Sequence, residues 1–175
     1  MKLAIAGIRE ATKLLARESF DCAVSIADHK IEGVYCETTR PAGLEHVPNV
    51  RMLAFHDTDG ERGPQRVHAE ALCSFLTANL HRERWLIHCA AGVSRSTAAA
   101  LVLLGMKLGY DNPRLATLLL YVRPQAYPNK QLIVLCEDVL GLATNSLSRH
   151  ADSLNTSNLL VDSPAASLRD LALCP

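Results

Sequence analysis

The stretch His88-Cys-Ala-Ala-Gly-Val-Ser-Arg95-Ser96 decides the fold, because it joins a short apolar run to a long one. Upstream, Trp85-Leu-Ile-His88 is typical of a buried strand, and downstream Ser94 to Lys107 is apolar nearly all round, like a buried helix. A loop of small residues that opens onto a helix N-terminus points several backbone N–H groups inward, with the positive end of the helix dipole behind them. The sequence therefore predicts a site for a tetrahedral oxyanion at this loop.

Three residues give this loop its predicted chemistry. Gly92 permits a backbone turn that a Cβ would resist. Arg95 lies in the first turn of the predicted helix, where its planar guanidinium can hold two oxygens of a phosphate at once. Cys89 lies at the base of the loop, and the field that attracts phosphate also favours a thiolate. The alternative interpretation is an ordinary buried cysteine followed by a solvated arginine.

The pattern HCxxGxxRS resembles the signature loop of the cysteine-dependent protein tyrosine phosphatases. HCAAGVSRS is especially similar to their small dual-specificity-like branch in its compact bacterial form, and Val122-Arg-Pro-Gln-Ala-Tyr-Pro-Asn129 is similar to the connection that closes many of these domains. The resemblance covers residues 50–141 well and 1–49 loosely. The long recognition segments of receptor-type members are absent, and no phosphotyrosine loop can be identified within residues 28–50.

The resemblance implies how the reaction would run. Cys89 is expected to attack phosphorus and form a phosphocysteine intermediate, while Arg95 binds the phosphate oxygens. Asp57, placed 32 residues before the cysteine, is expected to be the general acid and base, with Asp59 as its competitor. The backbone amides expected to bind phosphate belong to Ala90, Ala91, Gly92, Val93, Ser94 and Arg95.

Four further residues carry expectations with an alternative beside each. Ser96 is expected to hydrogen-bond the cysteine sulfur, or to be a plain helix-start residue. His88 is expected to order the loop by hydrogen bonding, or to be an ordinary core histidine. His56 is expected to be a surface turn residue rather than a proton shuttle. Arg123 is expected to be a cation at a helix C-terminus, with binding of a second anion as the alternative.

The periodicity of the chain predicts an α/β domain, and the resemblance implies the protein tyrosine phosphatase-like fold, with a central, largely parallel sheet flanked by helices. The order of the strands cannot be read from the sequence. Residues 1–141 are expected to form the phosphatase domain and 142–175 a weakly ordered C-terminal tail with one short helix near 165–173. The predicted strands cover 3–6, 22–26, 51–55 and 85–88, and the predicted helices 9–18, 64–80, 94–107, 112–123 and 129–141.

Composition excludes several classes of protein. The 175 residues contain 18 Lys plus Arg and 18 Asp plus Glu, so there is no basic excess of the kind that nucleic-acid binders carry. The longest apolar run, Ala98 to Met106, is too short to cross a bilayer. The six cysteines include no CxxC pair, which argues against a zinc ribbon. A disulfide framework suits short, polar, secreted chains better than 175 residues with a large apolar core. We therefore expect a cytoplasmic protein that binds neither nucleic acid nor a membrane. No metal or other cofactor is expected, because Arg95 and the loop amides supply the positive charge that the phosphate needs.

The predicted function is that of a hydrolase, a protein tyrosine or dual-specificity phosphatase. Its partner would be a phosphorylated protein, carrying phosphotyrosine and, if the cleft is shallow, phosphoserine or phosphothreonine. Two alternatives stay open. One keeps the chemistry and changes the substrate to a phosphoinositide, nucleotide or RNA phosphate, and the other is a phosphate-binding module without catalysis.

Overall fold

The computed structural model describes residues 1–28, 40–157 and 169–171 of the chain. The strands found in these residues are β1 (Lys2–Ala6), β2 (Cys22–Ala27), β3 (Asn49–Ala54), β4 (Arg84–His88) and β5 (Arg169–Asp170). They form one sheet in the order β3-β2-β4-β1-β5. The first four strands are mutually parallel, and β5 pairs antiparallel with β1 at the edge. The predicted central, largely parallel sheet is therefore confirmed.

Helices cover both faces of this sheet, which explains why its strands read as continuous apolar runs. The helices within the described residues are α1 (Ile8–Leu15), α2 (Arg66–Asn79), α3 (Arg95–Leu108), α4 (Leu115–Val122), α5 (Lys130–Val139) and α6 (Ser148–Ser157). Leu3 and Ile5 of β1 pack with α2 to α6 in the larger core, whereas Ala4 and Ala6 face the smaller core on the α1 side. None of these helices, among the residues described, is long and apolar enough to cross a bilayer.

Helix α3 is the centre of the larger core, as its apolar composition predicts. Every residue from 95 to 105 is buried in the structure. The predicted strands and helices upstream of residue 141 are confirmed with shifts of a few residues at their ends. For example, α4 begins at Leu115 rather than 112, because the Asn112 side chain accepts a hydrogen bond from the Arg114 amide at 2.9 Å and holds these residues in a turn.

The structure differs from the expected weakly ordered tail over 148–157, which form helix α6. Leu147, Ala151 and Leu154 are buried against the larger core. The N-terminus of α6 is fixed by Glu137, which is 4% exposed and whose carboxylate accepts from the amides of Leu147 at 2.5 Å and Ser148 at 2.8 Å. A carboxylate at the positive end of a helix is stabilising, so α5 anchors α6.

The prediction of a short helix near 165–173 is wrong for residues 169–171, the part of that range that the structure describes. Arg169–Asp170 forms β5, and its Leu171 neighbour is buried, with its amide bonded to the carbonyl of Met1 at 3.0 Å. The remaining residues of that expected helix lie outside the described residues. So do residues 29–39, which include part of the region 28–50 that was searched for a phosphotyrosine loop.

Replacing the buried anchor of α6 is expected to destabilise the protein. Glu137→Ala leaves the two buried amides of Leu147 and Ser148 without their acceptor, so the free energy of unfolding should fall by about 2 kcal/mol or more. Glu137→Gln keeps an acceptor oxygen and should lose less than half as much. Urea denaturation measures the loss, and hydrogen exchange over 148–157 shows whether α6 undocks. Equal stability of Glu137→Ala and the parent would show that α6 does not depend on this carboxylate.

Candidate active site

The predicted site residues meet at the carboxyl ends of the parallel strands, the edge where α/β sheets bind ligands. Cys89 follows β4, which lies between β2 and β1 in the sheet. Asp28 follows β2, and Asp57 comes shortly after β3. Arg95 begins α3 on the far side of the loop 89–94. We call residues 89–95 the phosphate loop.

The carbonyl groups in the first half of the phosphate loop are held from behind. The Ala90 carbonyl accepts from the amide of Ile8, at the start of α1, at 3.1 Å. The carbonyls of Ala91 and Gly92 accept from the guanidinium of Arg123 at 3.1 and 2.9 Å. These carbonyls are therefore tied to the protein body.

The second half of the loop is held in the same way by the segment that follows α4. The Val93 carbonyl accepts from the amide of Tyr127 at 2.9 Å. The Ser94 carbonyl accepts from the amide of Ala98 at 2.9 Å, within α3, and from that of Asn129 at 3.3 Å. Every carbonyl from residue 90 to 94 thus has a protein donor.

The amide N–H groups of the same loop are left free to bind an anion. Those of Ala90, Ala91, Val93 and Ser94 have no hydrogen-bond partner within the described part of the chain. The Gly92 amide instead donates to Cys89 Sγ at 3.2 Å. Carbonyls bound behind the loop and unpaired amides within it are the arrangement of a backbone anion nest.

Gly92 is required by this geometry. Its φ of +74° lies in the left-handed region. A Cβ at this position would lie 2.4 Å from the carbonyl carbon of Ala6 and from the amide nitrogen of Gly7. The phosphate loop therefore packs directly on the turn between β1 and α1, as only glycine allows.

The Cys89 sulfur lies at the base of the loop, with its side chain 2% exposed. Sγ is 3.2 Å from the Ser96 hydroxyl oxygen and 3.2 Å from the Gly92 nitrogen, so the predicted contact with Ser96 is present. These two donors suit a sulfur anion. Cys22 has no such site, and burial in β2 raises the pKa of its thiol to about 11.

Arg95 is 3% exposed and is held on one side only. Its Nη1 donates to Asp28 Oδ1 at 2.9 Å and to the Phe55 carbonyl at 2.7 Å. Nε lies 3.9 Å from Asp57 Oδ2, too far for a hydrogen bond, and has no partner among residues 1–28, 40–157 and 169–171. A buried donor without a partner is costly, and an oxyanion beside it would supply the missing acceptor.

Sequence reasoning missed Asp28, which orients this guanidinium. The available signal was its position directly after the predicted strand 22–26, at the carboxyl end of a parallel sheet. The same carboxylate oxygen lies 3.7 Å from Nδ1 of His56. The side chain of His56 is 40% exposed, in keeping with the expected surface turn residue.

The structure brings Asp57, and not Asp59, to the phosphate loop. Asp57 Oδ1 accepts from the Ser94 hydroxyl at 2.7 Å and from Asn129 Nδ2 at 3.0 Å. The Asn129 side-chain oxygen also caps α5 by accepting from the Leu132 amide at 3.0 Å. The carboxylate of Asp59 is exposed and has no partner within the described residues. The geometry therefore favours Asp57 over its competitor.

Arg123 ends α4, as expected, but its role is internal. It is 3% exposed and also pairs with Glu10, at 3.1 Å to Oε1 and 3.0 Å to Oε2. Glu10 Oε2 in turn accepts from the Gly7 amide at 2.8 Å. The alternative of a second anion on Arg123 is wrong, because this guanidinium is buried beneath the phosphate loop and occupied by its carbonyls.

His88 is 1% exposed beneath the loop. Burial lowers the pKa of its imidazole from 6.5 to about 4, and the backbone of Cys89 opposes the shift in part. Neither ring nitrogen makes a hydrogen bond of normal geometry to any residue that the structure describes. The structure thus favours a neutral core histidine over one that orders the loop by hydrogen bonds.

Comparisons with known proteins bear on this arrangement. No family model and no curated protein matches the chain. The structure of the phosphatase domain of Yvh1 from Chaetomium thermophilum matches with a TM-score of 0.55 and 21% identity, covering 79% of this chain and 90% of that one. Human DUSP28 matches with a TM-score of 0.54 and 20% identity, covering 88% of this chain and 94% of its own.

The chain has the fold of the small dual-specificity phosphatases. The structure of DUSP15 agrees, with a TM-score of 0.56 and 19% identity over 86% of this chain and 90% of that one. The predicted fold class and the resemblance drawn from HCAAGVSRS are confirmed at the level of the dual-specificity phosphatase fold.

Replacing Arg123, which binds two carbonyls of the phosphate loop, is expected to destabilise the protein and weaken phosphate binding. Arg123→Met frees two loop carbonyls and removes the cation that pairs with the Glu10 carboxylate, so the free energy of unfolding should fall by about 3 kcal/mol. The double variant with Glu10→Gln should recover part of the loss, with a coupling of about 1–3 kcal/mol. The exposed Arg114→Met is the control. A single-variant loss no larger than that of Arg114→Met would contradict this role.

Acid is expected to destabilise the fold through His88. Its folded-state pKa of about 4 lies below the ordinary 6.5, so between these values the unfolded chain binds more protons. The contribution is fully present above pH 6.5 and is lost as the pH falls towards 4, in total about 3 kcal/mol. His88→Asn should flatten this pH dependence in urea denaturation, and the exposed His81→Asn should not. If the free energy of unfolding changed equally with pH in His88→Asn and in the parent, the lowered pKa of His88 would be refuted.

Proposed function

We propose that this protein is a metal-independent phosphatase that hydrolyses phosphate monoesters through a phosphocysteine intermediate. The observation that carries the proposal is the set of donors in the phosphate loop that have no partner in the described part of the chain, namely the amides of Ala90, Ala91, Val93 and Ser94 and the Nε of Arg95. The Cys89 sulfur lies at the base of the same loop, bonded to the Gly92 amide. Donors fixed in advance stabilise the charge on a transferring phosphoryl group without reorganisation. The dual-specificity phosphatase fold supports the same chemistry.

In the first step the Cys89 thiolate attacks phosphorus in line with the leaving oxygen. The S–P bond forms as the P–O bond to the leaving group breaks, and Asp57 gives its proton to that oxygen. The loop amides and Arg95 hold the equatorial oxygens, where negative charge is spread in the transition state. The hydrogen bonds from Ser94 and Asn129 hold the Asp57 carboxyl group beside the phosphate loop.

In the second step water attacks phosphorus and releases inorganic phosphate. The S–P bond breaks, and the electron pair returns to sulfur as a thiolate. Asp57, now ionised, takes a proton from the attacking water and is ready for the next cycle. Ser96, 3.2 Å from Sγ, donates a hydrogen bond to the sulfur as it leaves.

The substrate class that we propose is a phosphorylated protein, with tyrosine phosphate or dual-specificity activity. The dual-specificity fold supports it. The charge beside the phosphate loop supports it too, because Asp28 and Asp57 both lie next to Arg95 and disfavour esters with several phosphates. A phosphoinositide, nucleotide or RNA phosphate is the second candidate substrate. Hydrolysis rates for a panel of phosphopeptides and small phosphates, all at equal concentration, distinguish the two candidates.

The test is hydrolysis of p-nitrophenyl phosphate by the parent and by three variants. Cys89→Ser should abolish turnover while inorganic phosphate still binds, because the loop amides remain. Asp57→Asn should lower kcat by about 10²–10⁴-fold with little change in KM, since the acid acts only in the transition state. Asp59→Asn, the matched change two residues away, should lose only a small factor.

The loss in Asp57→Asn should be greater for an alkyl phosphate than for the nitrophenyl ester, because a poor leaving group depends more on its proton. Full activity of Cys89→Ser would overturn the mechanism. Binding of phosphate by the parent without any turnover would favour the non-catalytic module instead.

A further inference from the structure

An open groove of about 660 Å³ borders the phosphate loop on the side of Asp57. It shares Ser94 and Asp57 with the candidate active site. Its other walls come from the segment 127–130 and from helix α6. If the phosphate of a phosphopeptide occupied the phosphate loop, the residues next to the phosphorylated one would therefore lie in this groove. Helix α6 would then be part of the substrate site.

The charges in this groove favour a cation. Asp59 lines it with an exposed carboxylate that has no partner in the described part of the chain. The one cation among its lining residues, Lys130, is already neutralised, since its Nζ lies 2.8 and 3.0 Å from the two carboxylate oxygens of Asp152. The groove consequently offers acceptors without offering a free cation.

Two further lining residues strengthen this preference. The Asn155 side chain donates from Nδ2 to the Pro128 carbonyl at 3.2 Å, which turns its Oδ1 away from that bond. This Oδ1 is buried and has no donor among the described residues, so it can accept from a ligand. Tyr127 is 49% exposed, and its ring can lie against a guanidinium or ammonium group.

We propose that this groove is a subsite for a lysine or arginine side chain close to the phosphorylated residue of a peptide substrate. The proposal rests on the proposed phosphatase function and deepens it, because it names a substrate class for the same site. Asp59 supplies the charge, Asn155 Oδ1 supplies a neutral acceptor, and Tyr127 supplies an aromatic face. An acidic neighbour or a second phosphate would meet the exposed carboxylate of Asp59 and be disfavoured.

The experiment compares kcat/KM for phosphopeptides that differ only in the residues flanking the phosphorylated one, which are Arg, Ala or Glu. The parent should prefer the Arg peptides to the Ala peptides by about fivefold, the size expected of a partly exposed ion pair. The Glu peptides should be the poorest, and added salt should shrink the differences. Hydrolysis of p-nitrophenyl phosphate is measured in parallel.

Two variants are expected to change the preference for Arg peptides in opposite directions. Asp59→Asn should reduce the preference for Arg severalfold, whereas Lys130→Met should increase it by freeing Asp152. Glu61→Gln, an exposed acid in the same loop that does not line the groove, should retain the parent preference.

The outcomes separate the subsite from the function. Equal rates for Arg, Ala and Glu peptides, with the nitrophenyl ester still hydrolysed, would overturn the subsite and leave the phosphatase proposal standing. A preference that persists unchanged in both Asp59→Asn and Lys130→Met would also overturn it. Failure to hydrolyse any ester would overturn both proposals.

Discussion

The structure depends on how the phosphate loop is tied down. Its carbonyls are bound by the start of α1, by Arg123 and by the segment that follows α4, whereas the amides of Ala90, Ala91, Val93 and Ser94 have no partner among the described residues. A loop whose carbonyls are all bonded on one side while its amides stay unbonded persists only where the surrounding structure over-determines it. The close approach of Gly92 to the turn after Ala6 is part of the same constraint.

The four-stranded parallel core explains why this constraint can be met. With β4 between β2 and β1, the loop after β4 has the turn after β1 on one side and Asp28 on the other. The first contact fixes the backbone of the loop, and the second fixes the guanidinium of Arg95. Asn129, at the start of α5, donates a hydrogen bond to Asp57, and so does Ser94 of the phosphate loop. Asp57 is therefore held by residues from two other parts of the chain.

The features that could be predicted from the sequence are those that residues close together in the chain encode. The strands, the helices and the burial of α3 follow from apolar runs. The contact between Cys89 and Ser96 is implied by the resemblance of one short loop to the phosphatase signature. Asp28 and Glu10 could not be found in this way, since they meet Arg95 and Arg123 at separations of 67 and 113 residues. Helix α6 was missed because its polar composition hides the apolar contacts of Leu147, Ala151 and Leu154, and because its anchor, Glu137, belongs to another helix.

The most direct measurement is a titration of the isotope-labelled parent protein with inorganic phosphate, followed by the backbone amide signals in NMR. If the loop is an anion nest, the largest shifts will fall on the amides of Ala90, Ala91, Val93 and Ser94 and on the side-chain Nε–H of Arg95, with one common saturation curve. Shifts confined to surface residues elsewhere, or none in the loop at saturating phosphate, would contradict it.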